Sequence, residues 1–265
     1  MFFIPVFTVL IPILIGQRLG LRSSKKLAEI QHAPVGSVVA AAFGLLAFML
    51  AFTFQIASNR YDSRKQLLLD EVTNIRTTYL RAGLIPEPFQ SGSRKLLVEY
   101  IDLRVELSNN ISKLDTVLSR SQQILDTLWG YTETLAQQDR SSEVYALFTS
   151  SVNDLVDGFN QRITVTLEYR IPLIVLWVLF IISFFSMLVL GYQFGISGKG
   201  SFWVNLLLAI IFAVVIFLIM ALDRPEKGLT KLNQAPVFKL QKQLKEKQSY
   251  VSPSIPIKVV ADSAR

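Results

Sequence analysis

The sequence predicts an all-α, polytopic membrane protein, with four transmembrane helices and a helical-bundle soluble domain inserted between the second and third. Three features carry that expectation. Apolar residues are gathered into four blocks along the 265 residues, giving 51% hydrophobic content and a mean hydropathy of +0.41. About 110 polar residues rich in helix formers separate blocks two and three, with apolar positions recurring at helical spacing. Valine and threonine never alternate with polar residues over a strand's length, so no sheet is expected.

Block one, Phe2–Gly16, carries Pro5 and Pro12 and is short. It reaches across a bilayer core of about 30 Å only if extended to Leu21 with Arg18 snorkelling. An uncleaved span, a half-inserted interfacial segment and a signal peptide are its three readings. The lack of a basic leader and of a small-x-small cleavage site weighs against the last.

Block two, Val35–Ala57, is a span whose Gly36, Ala40, Gly44, Ala47 and Ala51 share one side at about 100° per residue. Small residues let another helix approach closely in lipid, whether from a second copy or from the same subunit. Phe48 and Phe52 flank this face; Phe43 and Phe54 lie on its other edge. Gly36, Ala40, Gly44, Phe48 and Phe52 are therefore candidate pore or packing residues. Block three, Ile171–Phe194, opens with Pro172 in its first turn, where proline removes no helix hydrogen bond. A Gly195–Gly200 turn joins it to block four, which runs uncharged from about Phe202 and stops abruptly in Leu222-Asp223-Arg224-Pro225.

The polar segment reads as four helices. Arg60–Ala82 is broken by Gly83 and Pro86-Glu87-Pro88, and Arg94–Leu107 follows behind an N-cap at Ser91 or Ser93. Ile111–Gln137 comes next, then a helix from Ser142 continuing toward the third span. The expected divisions are 1–57 for the first two membrane segments, 58–170 for the helical domain, 171–222 for a transmembrane hairpin, and 223–265 for a basic, partly disordered tail.

Net charge is +7. Lysine and arginine near the span ends are more numerous on the helical-domain side, which is expected to place that domain and the C-terminus in the cytoplasm. The basic excess then faces anionic lipid, and no run interleaves it with aromatics as a nucleic-acid binder requires. At the end of block four, Asp223, Arg224 and Arg170 form a candidate membrane–domain coupling site, with Asp223 expected to pair with Arg170 or Arg60.

The chain has no cysteine and one histidine, His32, which excludes thiolate chemistry and a histidine-rich metal site. It carries no phosphate-binding loop, dinucleotide fingerprint or serine elbow, so neither an enzyme nor a cofactor is expected. Glu99, Asp102 and Glu106, with Arg94 and Arg104 as ion-pair partners, read as a solvated helix face rather than a calcium site. Asp70-Glu71 with Arg76 and Arg81 reads as local helix support. Ser37, Thr53, Ser183, Ser186 and Asn205 are too few for one subunit to line an ion path, so a pore would need rings of residues from several copies.

Seven strings recur together: His32-Ala-Pro-Val-Gly36, Leu50-Ala-Phe-Thr-Phe54, Asp70-Glu71, Tyr79-Leu-Arg-Ala82, Leu84-Ile-Pro-Glu-Pro88, Tyr100-Ile-Asp-Leu-Arg104 and Leu222-Asp-Arg-Pro225. In this order they resemble the bacterial bestrophin-like family of unknown function, over roughly His32 to Leu240, with Glu71, Arg81, Tyr100 and Arg104 as family-pattern residues. Ala33-Pro34 stands where many members carry Asn-Asp. The resemblance implies kinship with bestrophins, which are oligomeric anion-selective channels with a cytoplasmic helical region, although the bestrophin calcium clasp has no counterpart here. It implies as partners the lipid bilayer, further copies of the chain and inorganic anions. A non-conducting scaffold or sensor, whose helical domain binds a partner, is the rival.

Overall fold

The computed structural model describes residues 3–24, 33–165, 171–198, 201–223 and 232–250, and every regular element among them is helical. Four of the helices are long and apolar enough to cross a membrane. The chain divides into two compact units, Met1–Lys65 with Val165–Leu232, and Gln66–Thr164 with Asn233–Arg265.

The first unit holds α1 (Phe3–Ser24), the opening part of α2 (Ala33–Arg81), α6 (Leu173–Ser197) and α7 (Phe202–Asp223). Block one is thus a helix running to Ser24, past the Leu21 that a span requires. α1 crosses α6 with the backbones in direct contact. A Cβ added at Gly16 would lie 2.1 Å from the Leu188 carbonyl oxygen, and one at Gly191 would lie 2.1 Å from that of Ile13. Gly20 faces the Tyr192 carbonyl and Gly195 faces that of Gln17 in the same way. Only glycine admits this approach, which brings dispersion contacts and Cα–H···O contacts within reach. Val9, Ile13, Leu46, Leu50, Leu179 and Ile216 fill the interior. Polar side chains tie the helices together: Asn205 Nδ2 donates to Gln17 Oε1 at 2.9 Å, and Ser186 Oγ donates to the Ala42 carbonyl at 3.1 Å.

α2 is a single helix of 49 residues. The sequence suggested a span to Ala57 and a separate helix from Arg60, but the change there is only one of polarity. No proline or glycine interrupts the chain between Gly44 and Gly83. α2 ends in a 3-10 turn at Ala82–Leu84, and Ile85 is extended ahead of Pro86.

The second unit holds the remainder of α2, α3 (Phe89–Asn109), α4 (Leu114–Gln138), α5 (Glu143–Ile163) and α8 (Ala235–Tyr250). α3 begins earlier than its apolar pattern suggests. Neither Ser91 nor Ser93 is its N-cap; instead Glu87 Oε2 accepts the Ser91 amide at 3.2 Å and the Ser91 hydroxyl at 2.6 Å. Ser142 does cap α5, accepting the Tyr145 amide at 3.3 Å. Leu97, Ile101, Leu125, Leu128, Phe148, Val152 and Leu155 form the core. Three α2 side chains donate to α5 carbonyls in antiparallel sequence: Asn74 to Asp154, Thr78 to Ser151 and Arg81 to Leu147.

Part of the expected tail is α8. Its Val237, Leu240 and Leu244 recur at helical spacing and are buried in the core, while Lys242, Lys245 and Lys247 stay exposed. Gln241 Nε2 and Lys245 Nζ both reach Asp102 Oδ1 on α3, at 2.6 and 2.7 Å. The expectation of disorder concerned residues 252–265, which lie outside the described residues.

Candidate functional site

Within the apolar part of α2, Val39, Leu46, Leu50, Thr53 and Ala57 point into the first unit. At about 100° per residue the opposite face carries Gly44, Phe48, Phe52 and Gln55. Phe48 is 64% exposed and Phe52 50%, and their rings stack at 6.3 Å between centroids. Ala40, Gly44, Ala47 and Ala51 are also exposed, and nothing lies within 4 Å of a Cβ built at Gly44. Gly36 is half-buried, with Gln193 Nε2 at 3.7 Å from such a Cβ. The small residues of α2 therefore do not make the close helix contact within the first unit; α1 and α6 make it. Gln55 donates to Asn59 Oδ1 at 2.7 Å, one turn beyond the aromatic pair.

A second cluster closes the end of α7. Asp223 is buried, and its Oδ1 accepts the Ile171 amide at 3.0 Å, tying the end of one hairpin helix to the start of the other. Arg64 of α2 donates to the carbonyls of Leu222 at 2.6 Å and Asp223 at 3.3 Å, satisfying acceptors that a helix C-terminus leaves free. Among the described residues, the guanidinium that reaches this corner is that of Arg64, one turn beyond Arg60. Arg170 and Arg224 lie outside the described residues.

A third cluster is buried in the second unit. Glu71 of α2 accepts the Tyr100 hydroxyl at 3.0 Å. Arg104 Nε lies 3.0 Å from its Oε1, and Arg162 Nε lies 3.3 Å from its Oε2. Burial opposes ionisation of Glu71, but the two guanidinium charges and the hydrogen bonds from Tyr100 and Arg104 outweigh it, holding its carboxyl below the usual range. Burial, with the Glu71 charge beside it, pushes the Tyr100 hydroxyl up, so it stays a donor. Glu71 is thus no local partner of Arg76. Arg104 likewise turns inward rather than joining the acidic stripe of α3. There Glu99 pairs with Arg120 at 2.7 Å and Glu106 with Lys113, while Arg94 stacks over the Tyr79 ring at 5.3 Å. Arg81 sits at the end of α2 on the Leu147 carbonyl at 2.8 Å. Reading the sequence missed Arg162 and Arg64, although Arg162 continues the buried α5 series of Val152, Leu155 and Phe159 at spacings of three and four.

Residues 3–237 match the model of the bestrophin-like domain. The chain belongs to the bestrophin-like family. Among solved structures it is similar to a bacterial bestrophin homologue from Klebsiella pneumoniae. One variant of that protein superimposes with a TM-score of 0.67 at 14% identity, over 92% of this chain and 97% of the other. A second variant gives 0.64 at 15% identity, over 92% and 98%. A crystal structure described as a membrane protein gives 0.63 at 14% identity, over 96% and 99%. At such identities the likeness is one of fold, and it spans nearly the whole of each chain. No curated protein matches by sequence. This bestrophin-like chain is a membrane protein. Glu71, Tyr100 and Arg104, three of the pattern residues suggested by the sequence, meet in one buried cluster, whereas Arg81 lies apart from it.

Proposed function

We propose that this bestrophin-like chain forms a homo-oligomeric anion channel of the bacterial inner membrane, with the Phe48 and Phe52 face of α2 lining the axis. The observation that carries this reading is the composition of that face. Other exposed membrane surfaces bear large apolar side chains such as Leu173, Trp177 and Trp203, as contact with lipid favours. The outward side of α2 bears Ala40, Gly44, Ala47 and Ala51 around two stacked phenylalanines, with Leu45 exposed beside them and Gln55 and Asn59 beyond. Small residues favour close packing of α2 against its copies. A ring of phenylalanines would then form an apolar constriction of the kind that gates by dewetting. The solved relatives named as bestrophin homologues, together with the family, support a membrane ion channel over a catalyst.

In this arrangement the helical unit inserted between the second and third spans lies in the cytoplasm with the C-terminus, following the excess of lysine and arginine at its span ends.

Purified protein reconstituted in liposomes tests the reading. A chloride flux raised by Phe48→Ala or Phe52→Ala, from particles with ring symmetry, is the expected result. A folded protein that forms no ring and carries no flux in the wild type or either variant would replace the channel with the scaffold or sensor.

A further inference from the structure

In the second unit, α2 and α8 flank a groove of about 290 Å3. That is near the lower limit of roughly 300–1,000 Å3 seen for ligand pockets, so any occupant is small. We propose that this groove binds a free amphipathic monoanion of the medium-chain carboxylate class, a role that goes beyond ion conduction and does not depend on it.

The lining has two chemistries. Leu240 and Leu244 are buried contributors, and Leu80 extends the apolar wall while remaining 47% exposed. An aliphatic chain laid against them gains about 25 cal/mol per Å2 removed from water. Around this wall stand Arg76, Lys247 and Glu246. Glu246 opposes an anion, although Lys242 Nζ lies 3.9 Å from its carboxylate. Arg76 and Lys247 exceed the one acid of the lining by a single charge, so the groove favours an anion. Arg76 and Lys247 carry no ion pair among the described residues, so neither must leave a partner to take one. Tyr79 supplies the independent observation: it lines the groove, is 2% exposed, and its buried hydroxyl has no hydrogen-bond partner among the described residues. A buried hydroxyl left without a partner costs about 1–3 kcal/mol, a penalty that a carboxylate relieves once the Tyr79 ring shifts to bring the hydroxyl, closed to solvent in the free protein, to the groove. Arg94 stacked on the Tyr79 ring adds a further positive charge near that donor. Bound there, the anion would bridge α2 to α8.

The test uses the full chain in nanodiscs of zwitterionic lipid, with hexanoate as probe and hexanol and inorganic phosphate as its apolar and anionic halves. Ligand-observed NMR is referenced to empty nanodiscs to remove partitioning. Hexanoate should bind saturably, at least tenfold tighter than either half. Arg76→Ala and Lys247→Ala, both at exposed positions that leave the fold intact by circular dichroism, should each weaken it at least tenfold. Tyr79→Phe should weaken it several-fold, and Glu246→Gln should tighten it. Absence of saturable hexanoate binding overturns the proposal, as does binding indifferent to both cation substitutions. Phosphate binding as tightly as hexanoate would reduce the groove to a patch for simple anions and also overturn it. None of these readouts involves flux, so failure here and failure of the channel reading are separable.

Discussion

Glu71 and Arg104 lie thirty-three residues apart in sequence, yet the Arg104 Nε donates to the Glu71 carboxylate at 3.2 Å inside the second unit. Arg162 approaches the same carboxylate from α5, so one acid holds two guanidinium groups and, through them, three helices. Removing the acid leaves two buried cations facing each other. Glu71→Gln should therefore destabilise the second unit by about 3–5 kcal/mol, the usual cost of breaking a buried pair from one side. Denaturant unfolding followed by circular dichroism measures it. A loss below about 1 kcal/mol would mean that the cluster is solvated rather than structural.

The same carboxylate sets an acid limit on stability. Its folded pKa is lowered, so its contribution is fully present above the unfolded value of about 4.3 and is lost as pH falls through the folded value. Wild-type stability should decline below about pH 4, with a shallower decline for Glu71→Gln over the same range. Parallel melting curves between pH 3 and pH 6 check this, and identical slopes for the two proteins would count against it.

The α1–α6 crossing should tolerate no side chain. Gly191→Ala would press a methyl group onto the Ile13 carbonyl, and Gly16→Ala would press one onto that of Leu188. Each should cost about 1–3 kcal/mol by overpacking, since the obstacle is backbone that cannot rotate away. Gly44→Ala, where nothing lies within 4 Å in the subunit, serves as the control for subunit stability. Thermal melting of the purified protein in detergent compares the three, with Gly44→Ala expected to melt closest to the wild type.

At the end of α7, Arg64→Ala should expose the Leu222 and Asp223 carbonyls and cost about 1–3 kcal/mol. Asp223→Asn keeps an oxygen for the Ile171 amide, so it should be mild, while Asp223→Ala should cost about as much as Arg64→Ala. A loss for Asp223→Asn as large as for Asp223→Ala would instead assign the role to the charge, as pairing with Arg170 or Arg60 requires.

The buried cluster is partly legible in the sequence. Glu71 falls between Leu68 and Ile75, Arg104 follows Leu97 and Ile101, and Arg162 follows Leu155 and Phe159, all at the spacing of a buried stripe. A charged residue on a core stripe is a signal that it has a partner. It does not name the partner, because periodicity describes one helix at a time. Similarly, Gly16 and Gly20, and Gly191 and Gly195, stand four residues apart in plain view, a spacing suited to close helix crossing in lipid. Block two offers more small residues at comparable spacing, and spacing within one helix does not say which of them meet another.

The sequence by itself determined the all-helical class, the four apolar segments and the family, because each follows from local composition, spacing and strings of adjacent residues. Only the tertiary structure decided that α2 runs unbroken from Ala33 to Arg81, that α8 buries Val237, Leu240 and Leu244 in the helical core, and that the small residues of α2 are left facing outward. It also decided that Glu71 belongs to Arg104 and Arg162. The physical reason is the same in each case. Helical periodicity says which side of a helix is buried, whereas the choice of neighbour depends on how all the helices share the available apolar surface and satisfy their buried charges together.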